Sequence, residues 1–149
     1  MAYSQTLYHI IFRTKYSEYS LNPKYSEELY RYIWGVIKNK NCRLLQINGI
    51  ENHIHILSDL HPSVALADYI KDIKVSSNKW MKGSGNFPKF KGWAVGYCAL
   101  TYSHKEKDSL IQYIKNQQEH HKKVSFKEEI TELFKEFGIK EDIKWFWKD

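Results

Sequence analysis

The stretch CRLLQINGIENHIHILSD, Cys42–Asp59, decides the fold because it contains two strand-forming runs joined by a short polar turn. The first run covers about Arg43–Gly49 and the second about His53–Ser58. Both runs are rich in the aliphatic and β-branched residues that favour strands. Two such runs separated by a turn predict neighbouring strands of an antiparallel sheet.

The second run alternates histidine with isoleucine. Successive side chains of a strand point to opposite faces, so His53 and His55 share one face while Ile54 and Ile56 share the other. The isoleucines can face core helices, which predicts that the histidines lie on the opposite, accessible face. Their backbones are then roughly 6–7 Å apart, close enough for two imidazole nitrogens to bind one cation. Two ordinary, half-exposed histidines without a ligand remain an alternative at this point.

The flanking sequence predicts two more strands and four helices, with Ser103 and Ser125 at capping-box positions. In chain order the elements are strand Thr6–Thr14, a helix capped by Asn22, the two strands above, a helix from Ser63 to about Met81, strand Trp93–Tyr102, a helix opened by Ser103, and a helix opened by Ser125 that ends before Gly138. This order predicts an α+β, ferredoxin-like (split βαβ) fold. We expect an antiparallel four-stranded sheet with helices on one face, plus C-terminal helices.

Composition predicts one folded domain over residues 1–149. Lys and Arg number 23 against 17 Asp and Glu, and the net charge of +6 suits a polyanionic partner without requiring one. No apolar run approaches the roughly 18 residues of a membrane span, and the N-terminal residues lack the pattern of a secretory signal. Cys42 and Cys98 lie in apolar runs and form no C-x-x-C motif, which favours a reducing, cytoplasmic location.

A later segment, YIKNQQEHH (Tyr113–His121), supplies candidate partners for the histidine pair. It lies in the helix predicted over about residues 104–123, ahead of a C-terminal helix and aromatic tail over about 125–149. Tyr113 and Gln117 are four residues apart and are therefore neighbours on one helical face. At ~100° per residue, both residues and His120 lie along the edge of the buried face. Ordinary amphipathic packing of Tyr113 also fits this pattern.

The His-hydrophobic-His motif on a central strand, followed by a late helix with Tyr-x-x-x-Gln, resembles the single-tyrosine HUH transposases of the insertion-sequence 200/605 family. Further segments resemble the family in the same order. They are TKY (residues 14–16), GYCALTYS (96–103) and YIKNQQEHHKKVSFKEE (113–129). The resemblance spans nearly the whole chain.

The resemblance implies an enzyme that cleaves and rejoins single-stranded transposon-end DNA. Tyr113 would be the nucleophile, becoming linked to the 5′ phosphate and leaving a free 3′ hydroxyl. His53, His55 and Gln117 would bind a divalent cation. We expect Mg²⁺ or Mn²⁺, because a hard amide oxygen and phosphate oxygens favour these ions.

Residues beside this set could modify it. The family commonly has Asp at the position of Asn52, and the change could alter the orientation of the neighbouring histidine. Glu51 is expected to share the strand parity of the histidines and is a possible additional ligand. His120 is a second possible accessory residue.

Lysines beside aromatic residues predict contacts with single-stranded DNA, although packed aromatics and solvated lysines would give the same pattern. Both residue types occur in and around the loop KGSGNFPKFKG (82–92). The candidate lysines are Lys79, Lys82, Lys89, Lys91, Lys122 and Lys123. The resemblance further implies hairpin-containing DNA ends and a homodimer whose active sites are shared between subunits.

Two other functions stay open on the sequence alone. A non-catalytic module derived from such a transposase would bind single-stranded or hairpin DNA through the sheet and the basic loop. A metal-dependent phosphoesterase would use water as its nucleophile and would not need Tyr113.

Overall fold

The computed structural model describes residues 2–149 and contains a four-stranded antiparallel sheet with the strand order β2-β3-β1-β4. The strands are β1, Leu7–Thr14; β2, Arg43–Ile50; β3, His53–Asp59; and β4, Trp93–Tyr102. This order, with a helix after β1 and another after β3, confirms the predicted α+β, ferredoxin-like arrangement. No helix within residues 2–149 has the length and apolar character that crossing a bilayer demands.

The first face of the sheet is covered by α1 (Ser26–Asn39) and α2 (Leu66–Ser84). The sequence predicts that Asn22 caps the first helix, but its side chain accepts a 3.1 Å hydrogen bond from the backbone of Lys24 and caps a short 3₁₀ turn that precedes α1. The isoleucines of β3 are fully buried between the sheet and these helices, in the largest apolar cluster that residues 2–149 form. This packing fixes which face of β3 remains for the histidines.

The second face is covered by α3 (Lys107–Lys115), α4 (Gln117–His120) and α5 (Phe126–Glu136). The expectation that the histidines are accessible is therefore wrong, because His53 and His55 each have 0% exposed surface. The physical reason is that their face also carries apolar residues, which need a covering layer. Those residues are Leu7, Ile11, Leu57, Cys98 and Leu100.

The helix expected over residues 104–123 is divided at Asn116, where the backbone ψ angle is 20°. On β2, the side-chain amide of Asn48 donates 3.0 Å hydrogen bonds to the backbone carbonyls of Ile114 and Lys115. In a continuous helix these carbonyls would accept bonds from amides four residues later. A side chain of the sheet therefore ends α3 and sets the start of α4.

The segment after α5 returns to the sheet and holds α5 against it. The buried guanidinium of Arg13 donates a 2.7 Å hydrogen bond to Asp149 and lies over the ring of Trp147, 5.4 Å from its centroid. A Cβ at Gly96 would lie only 2.7 Å from the carbonyl oxygen of Phe146, so a glycine is needed where this segment crosses β4.

Candidate active site

The paired histidines lie on β3, and their rings point toward the helices of the second face. Across the sheet, His53 pairs with Arg13 and His55 with Ile11, both on β1. Nδ1 of His53 lies 2.8 Å from Oδ1 of Asn52, so this nitrogen donates its proton and Nε2 keeps a free lone pair. Asn52 thus supplies an oxygen acceptor, as an aspartate at this position would.

A third histidine, His9 on β1, adjoins the pair. Its Nε2 lies 2.8 Å from Nδ1 of His55, and the two rings stack with centroids 5.0 Å apart. The sequence reasoning missed His9. Side-chain alternation along β1 was the available signal, because His9 shares a face with Ile11 and Arg13, the residues that pair with the β3 histidines.

Tyr113 and Gln117 both lie against this histidine group within a single chain. The ring centroid of Tyr113 is 5.9 Å from that of His55 and 6.1 Å from that of His9. Gln117 is fully buried, and its Oε1 lies 2.9 Å from Nε2 of His121. The tertiary structure therefore brings together the four residues that the sequence motif singled out.

Glu129, on α5, places one carboxylate oxygen among three imidazoles. Its Oε1 lies 3.2 Å from Nε2 of His55, 3.2 Å from Nε2 of His121 and 3.6 Å from Nε2 of His53. These four side chains each offer one ligand atom, and the four atoms lie within 4.8 Å of one another. The group has the donor types and the spacing to bind a metal ion.

The other oxygen of Glu129 faces the nucleophile candidate. Oε2 accepts a hydrogen bond from the phenol of Tyr113 and a 3.2 Å hydrogen bond from Nε2 of Gln117. Nε2 of His120 lies 3.3 Å from the same oxygen, so the predicted accessory histidine also borders the cluster. One carboxylate thus links the imidazole group to Tyr113.

The sequence reasoning missed both Glu129 and His121. For Glu129 a signal was present, because the apolar stripe of α5 consists of Phe126, Ile130 and Leu133, and Glu129 shares their helical spacing. A carboxylate on a buried stripe requires hydrogen-bonding or charged partners. His121 follows His120 directly and had no comparable signal.

Burial and charge set the protonation states of the site. Burial lowers the pKa of His53 to about 3, so its ring is neutral near pH 7. Burial and then the charge of Glu129 raise the pKa of Tyr113 well above that of a free phenol. Burial alone would raise the pKa of Glu129 too, but the surrounding imidazoles, His55 first, hold it well below its usual range. The site therefore holds an ionised carboxylate beside a protonated phenol.

The cluster is closed on one side and open on another. The ring of Phe126 stacks on that of His53, with centroids 3.6 Å apart, and keeps solvent from the imidazole. Tyr113 and His120 line an open cleft of about 580 Å³. Carboxylates also line this cleft, those of Glu132 and Glu136 on α5 among them. Tyr113 is thus the part of the site that a substrate can reach.

Glu51, the other predicted accessory residue, lies in the exposed turn between β2 and β3. It is outside the group of four side chains that could hold a metal ion. The turn starts before the strand alternation begins, so strand parity does not direct Glu51 toward the histidines.

The candidate DNA-binding lysines are all exposed but lie on two different surfaces. Lys79 and Lys82 are on α2, on the face of the sheet opposite to the histidine cluster, and Lys89 and Lys91 follow in the next loop. Lys122 and Lys123 come after His121, the C-terminal cap residue of α4, and α4 lies on the side of the sheet that carries the cluster. The aromatic residues of the loop, Phe87 and Phe90, are buried in the core, so they are not available to stack on bases.

A family model described as "Transposase IS200 like" matches residues 2–117 of the chain. The matched residues include all four strands, the histidine pair, Tyr113 and Gln117. The chain belongs to the IS200-like transposase family. In this IS200-like transposase, His121, Glu129 and all of α5 lie beyond the matched residues.

Two individual transposases are similar to the chain in sequence. This IS200-like transposase is 24% identical to the ISDra2 transposase TnpA of Deinococcus radiodurans over 120 residues, which cover 76% of this chain and 84% of the relative. It is 26% identical over 120 residues to the transposase for insertion sequence element IS200 of Salmonella typhimurium, covering 77% and 78% respectively.

Two solved structures share the fold. A transposase structure from Deinococcus radiodurans R1 has a TM-score of 0.61 and 23% sequence identity, covering 78% of this chain and 93% of the other. A REP-associated tyrosine transposase bound to a REP hairpin has a TM-score of 0.62 and 13% identity, covering 81% and 72%.

Proposed function

We propose that the chain is a single-tyrosine DNA transposase that cleaves and rejoins single-stranded transposon-end DNA, with residues 1–149 acting as one domain. Tyr113 is the nucleophile, and His53, His55 and Gln117 bind a divalent cation, Mg²⁺ or Mn²⁺. The observation that carries the proposal is the approach of Tyr113 to the histidine pair in a member of a transposase family, with 5.9 Å between the ring centroids of Tyr113 and His55.

In the proposed reaction, the phenol oxygen of Tyr113 attacks a phosphorus atom and the bond from phosphorus to the 3′ oxygen breaks. The tyrosine becomes linked to the 5′ phosphate, and the departing strand takes up a proton as a 3′ hydroxyl. Tyr113 gives up one proton and the departing 3′ oxygen takes up one, so the step is balanced in protons, while Glu129 orients the phenol by accepting its hydrogen bond. Because one phosphodiester replaces another, a later 3′ hydroxyl can reverse the step without ATP.

The donor set suits a divalent cation, which would polarise the phosphoryl oxygens and position the phosphate. The buried Nε2 atoms of His53 and His55 have no hydrogen-bond partner among residues 2–149. Asn52 orients the ring of His53, and His9 contacts the far nitrogen of His55. Such partners fix the tautomer of a ligating histidine and direct its free nitrogen.

We propose hairpin-containing transposon ends as the DNA partner. Family membership and the shared fold of a transposase solved with a REP hairpin support this choice. The exposed candidate lysines would contact phosphates, with Lys122 and Lys123 nearest the active site. Substituting both by Ala should make the plot of log binding constant against log salt concentration less steep, by about the amount expected for two lost phosphate contacts. An unchanged salt dependence would remove both from the interface.

A homodimer with shared active sites is also a proposal, and a mixing experiment tests the sharing. One preparation carries His53→Ala and the other Tyr113→Phe, so neither has a complete site. If subunits share sites, the mixture regains cleavage. Tyr113 lies beside the histidines of its own chain in this conformation, so recovery requires the tyrosine-bearing helix to exchange between subunits, and no recovery would overturn the sharing. Sedimentation of the wild-type chain measures the oligomeric state separately.

The decisive experiment incubates the full chain with a single-stranded hairpin oligonucleotide and Mn²⁺. With a 3′ label, a covalent adduct should appear on a denaturing gel. With a 5′ label, a shortened free strand with a 3′ hydroxyl should appear. Tyr113→Phe should abolish the adduct while DNA binding remains near normal, and the matched variant Tyr102→Phe should retain it.

The alternatives give different results in the same experiment. A non-catalytic DNA-binding module would bind the hairpin with or without a chelator and form no adduct. A phosphoesterase that uses water would release cleaved strands even with Tyr113→Phe. Either result would overturn the proposed role of Tyr113.

A further inference from the structure

The C-terminal part of the chain contributes a buried charge to the histidine cluster. Glu129 is only 3% exposed, and it lies on α5, beyond residues 2–117 that match the family model. His121, with 5% side-chain exposure, also lies beyond the match. A buried carboxylate is retained only where cationic or hydrogen-bonding partners offset the cost of its desolvation.

The hydrogen bonds of the imidazoles identify the partner that this carboxylate lacks. Nδ1 of His53 donates to Oδ1 of Asn52 at 2.8 Å, and Nδ1 of His121 donates to the backbone carbonyl of Val124 at 2.9 Å. In neutral rings, the proton is then on Nδ1 and the lone pair is on Nε2. Both Nε2 lone pairs point toward Oε1 of Glu129, at 3.6 Å and 3.2 Å.

In this neutral tautomer, Nε2 has no proton to donate to the carboxylate oxygen, so the contact becomes favourable only when a cation, either a proton or a metal ion, lies between the two atoms. The contact between Nε2 of His121 and Oε1 of Gln117, at 2.9 Å, repeats the same mismatch, because the amide oxygen is also an acceptor. The buried Nε2 atoms of His53 and His55 likewise have no hydrogen-bond partner among the described residues. One metal ion among the four ligand atoms would use the lone pairs of His53, His55, His121 and Glu129.

We propose that His121 and Glu129 complete the cation site, so that this chain binds its metal through three imidazole nitrogens and one carboxylate oxygen. The ligand atoms of His53, His55, His121 and Glu129 lie within 4.8 Å of one another. The inference rests on the proposed function only in placing a cation at the histidine pair. It adds His121 and Glu129 to the ligands named above, and it leaves Gln117 beside the ion, with its nitrogen donating to Glu129 and its oxygen 2.9 Å from Nε2 of His121.

The enlarged ligand set changes the class of metal that the site prefers. Three imidazoles and one carboxylate suit Zn²⁺, Mn²⁺, Co²⁺ or Fe²⁺, because imidazole binds these ions well. Mg²⁺ prefers oxygen ligands in an octahedron and keeps several waters. The site should therefore bind transition-metal ions more tightly than Mg²⁺.

Metal titration of the chelator-treated full chain tests this proposal without any DNA. Co²⁺ is followed by its visible absorption, and Zn²⁺, Mn²⁺ and Mg²⁺ by calorimetry. The wild-type chain should bind one Zn²⁺ or Co²⁺ and should bind Mg²⁺ more weakly. His121→Ala and Glu129→Gln should each weaken Zn²⁺ binding by about tenfold or more. The controls His104→Ala and Glu132→Gln change exposed residues of the same types and should bind as the wild type does.

X-ray absorption of the Zn²⁺-loaded wild-type chain supplies a readout that does not depend on the variants folding. Three imidazole ligands support the proposal, and two overturn it. Wild-type affinity in both His121→Ala and Glu129→Gln would also overturn it, as would the absence of stoichiometric binding. Tyr113→Phe should bind metal normally, so failure of the transposase mechanism is distinguishable from failure of the metal site.

Discussion

The phenol of Tyr113 donates a hydrogen bond to the carboxylate of Glu129, 16 residues later in the chain. The same carboxylate lies 3.2 Å from Nε2 of His55. The proposed nucleophile and the proposed metal-binding histidine are therefore connected through one side chain of α5. This connection makes the C-terminal helix part of the candidate active site.

The first prediction concerns the stability of this connection. Tyr113→Phe removes a hydrogen bond to a charged, buried carboxylate, which should lower the free energy of unfolding by about 1.5–3 kcal/mol. Tyr102→Phe is the matched control, because Tyr102 packs against the same apolar cluster and its phenol pKa is raised by burial and nearby charges, with no hydrogen bond among the causes. Urea unfolding in the presence of a chelator measures both. Equal stabilities of the two variants would show that the bond contributes nothing to the apo fold.

The second prediction compares two glycines. A Cβ at Gly49 would lie 2.2 Å from the carbonyl oxygen of His53, whereas a Cβ at Gly35 in α1 would meet nothing within 4 Å. Gly49→Ala should displace β3 and lower the free energy of unfolding by about 1–3 kcal/mol. Gly35→Ala should raise it by about 0.5–1 kcal/mol, because alanine favours the helix. Urea unfolding measures both changes. If both substitutions changed the free energy of unfolding in the same direction, this account of β2 and β3 would be wrong.

The third prediction concerns the reactivity of Lys74 on α2. Its amine donates hydrogen bonds to the carbonyls of Ala94 and Val95, at 2.8 Å and 3.2 Å. Burial, and then the neighbouring Arg13, lower the pKa of Lys74 to about 8. Only the neutral amine reacts with acylating reagents, so its acetylation should be half-maximal near pH 8 rather than near the ~10.4 of a free lysine.

Competitive acetylation followed by peptide mass spectrometry measures this reactivity at several pH values. Exposed Lys79 on the same helix serves as the internal reference for a solvated amine. If Lys74 and Lys79 gain reactivity over the same pH range, burial does not perturb Lys74 as described.

The fourth prediction concerns the acidic cleft that leads to Tyr113. Glu132 and Glu136 line it, and their charges should repel DNA phosphates. Replacing both by Gln should tighten single-stranded DNA binding a few-fold, and the gain should shrink as salt screens the charges. The double variant Glu27→Gln, Glu28→Gln removes the same net charge from the first turn of α1.

Fluorescence anisotropy with a labelled oligonucleotide measures binding of both double variants. A similar gain from the α1 variant would mean that net charge alone matters and that the DNA does not approach Tyr113 through this cleft.

Much of the fold could be predicted because its signals are local. Side-chain alternation located β3 and its two faces, and the turn before His53 separated β2 from β3. Strand Trp93–Tyr102 has the bounds that the sequence predicts. Part of the candidate site could also be predicted, since His53, His55, Tyr113 and Gln117 form a pattern that resembles the motif of the family.

The sequence by itself therefore determined the strands, the order of the elements and the residues that carry the family motif. Only the tertiary structure decided that α5 covers the histidines, that Asn48 divides the tyrosine-bearing helix, and that Glu129 meets His55 and Tyr113. The physical reason is the range of the interactions. Periodicity reports which face of an element is buried, whereas a contact between distant residues depends on how several packed elements come together.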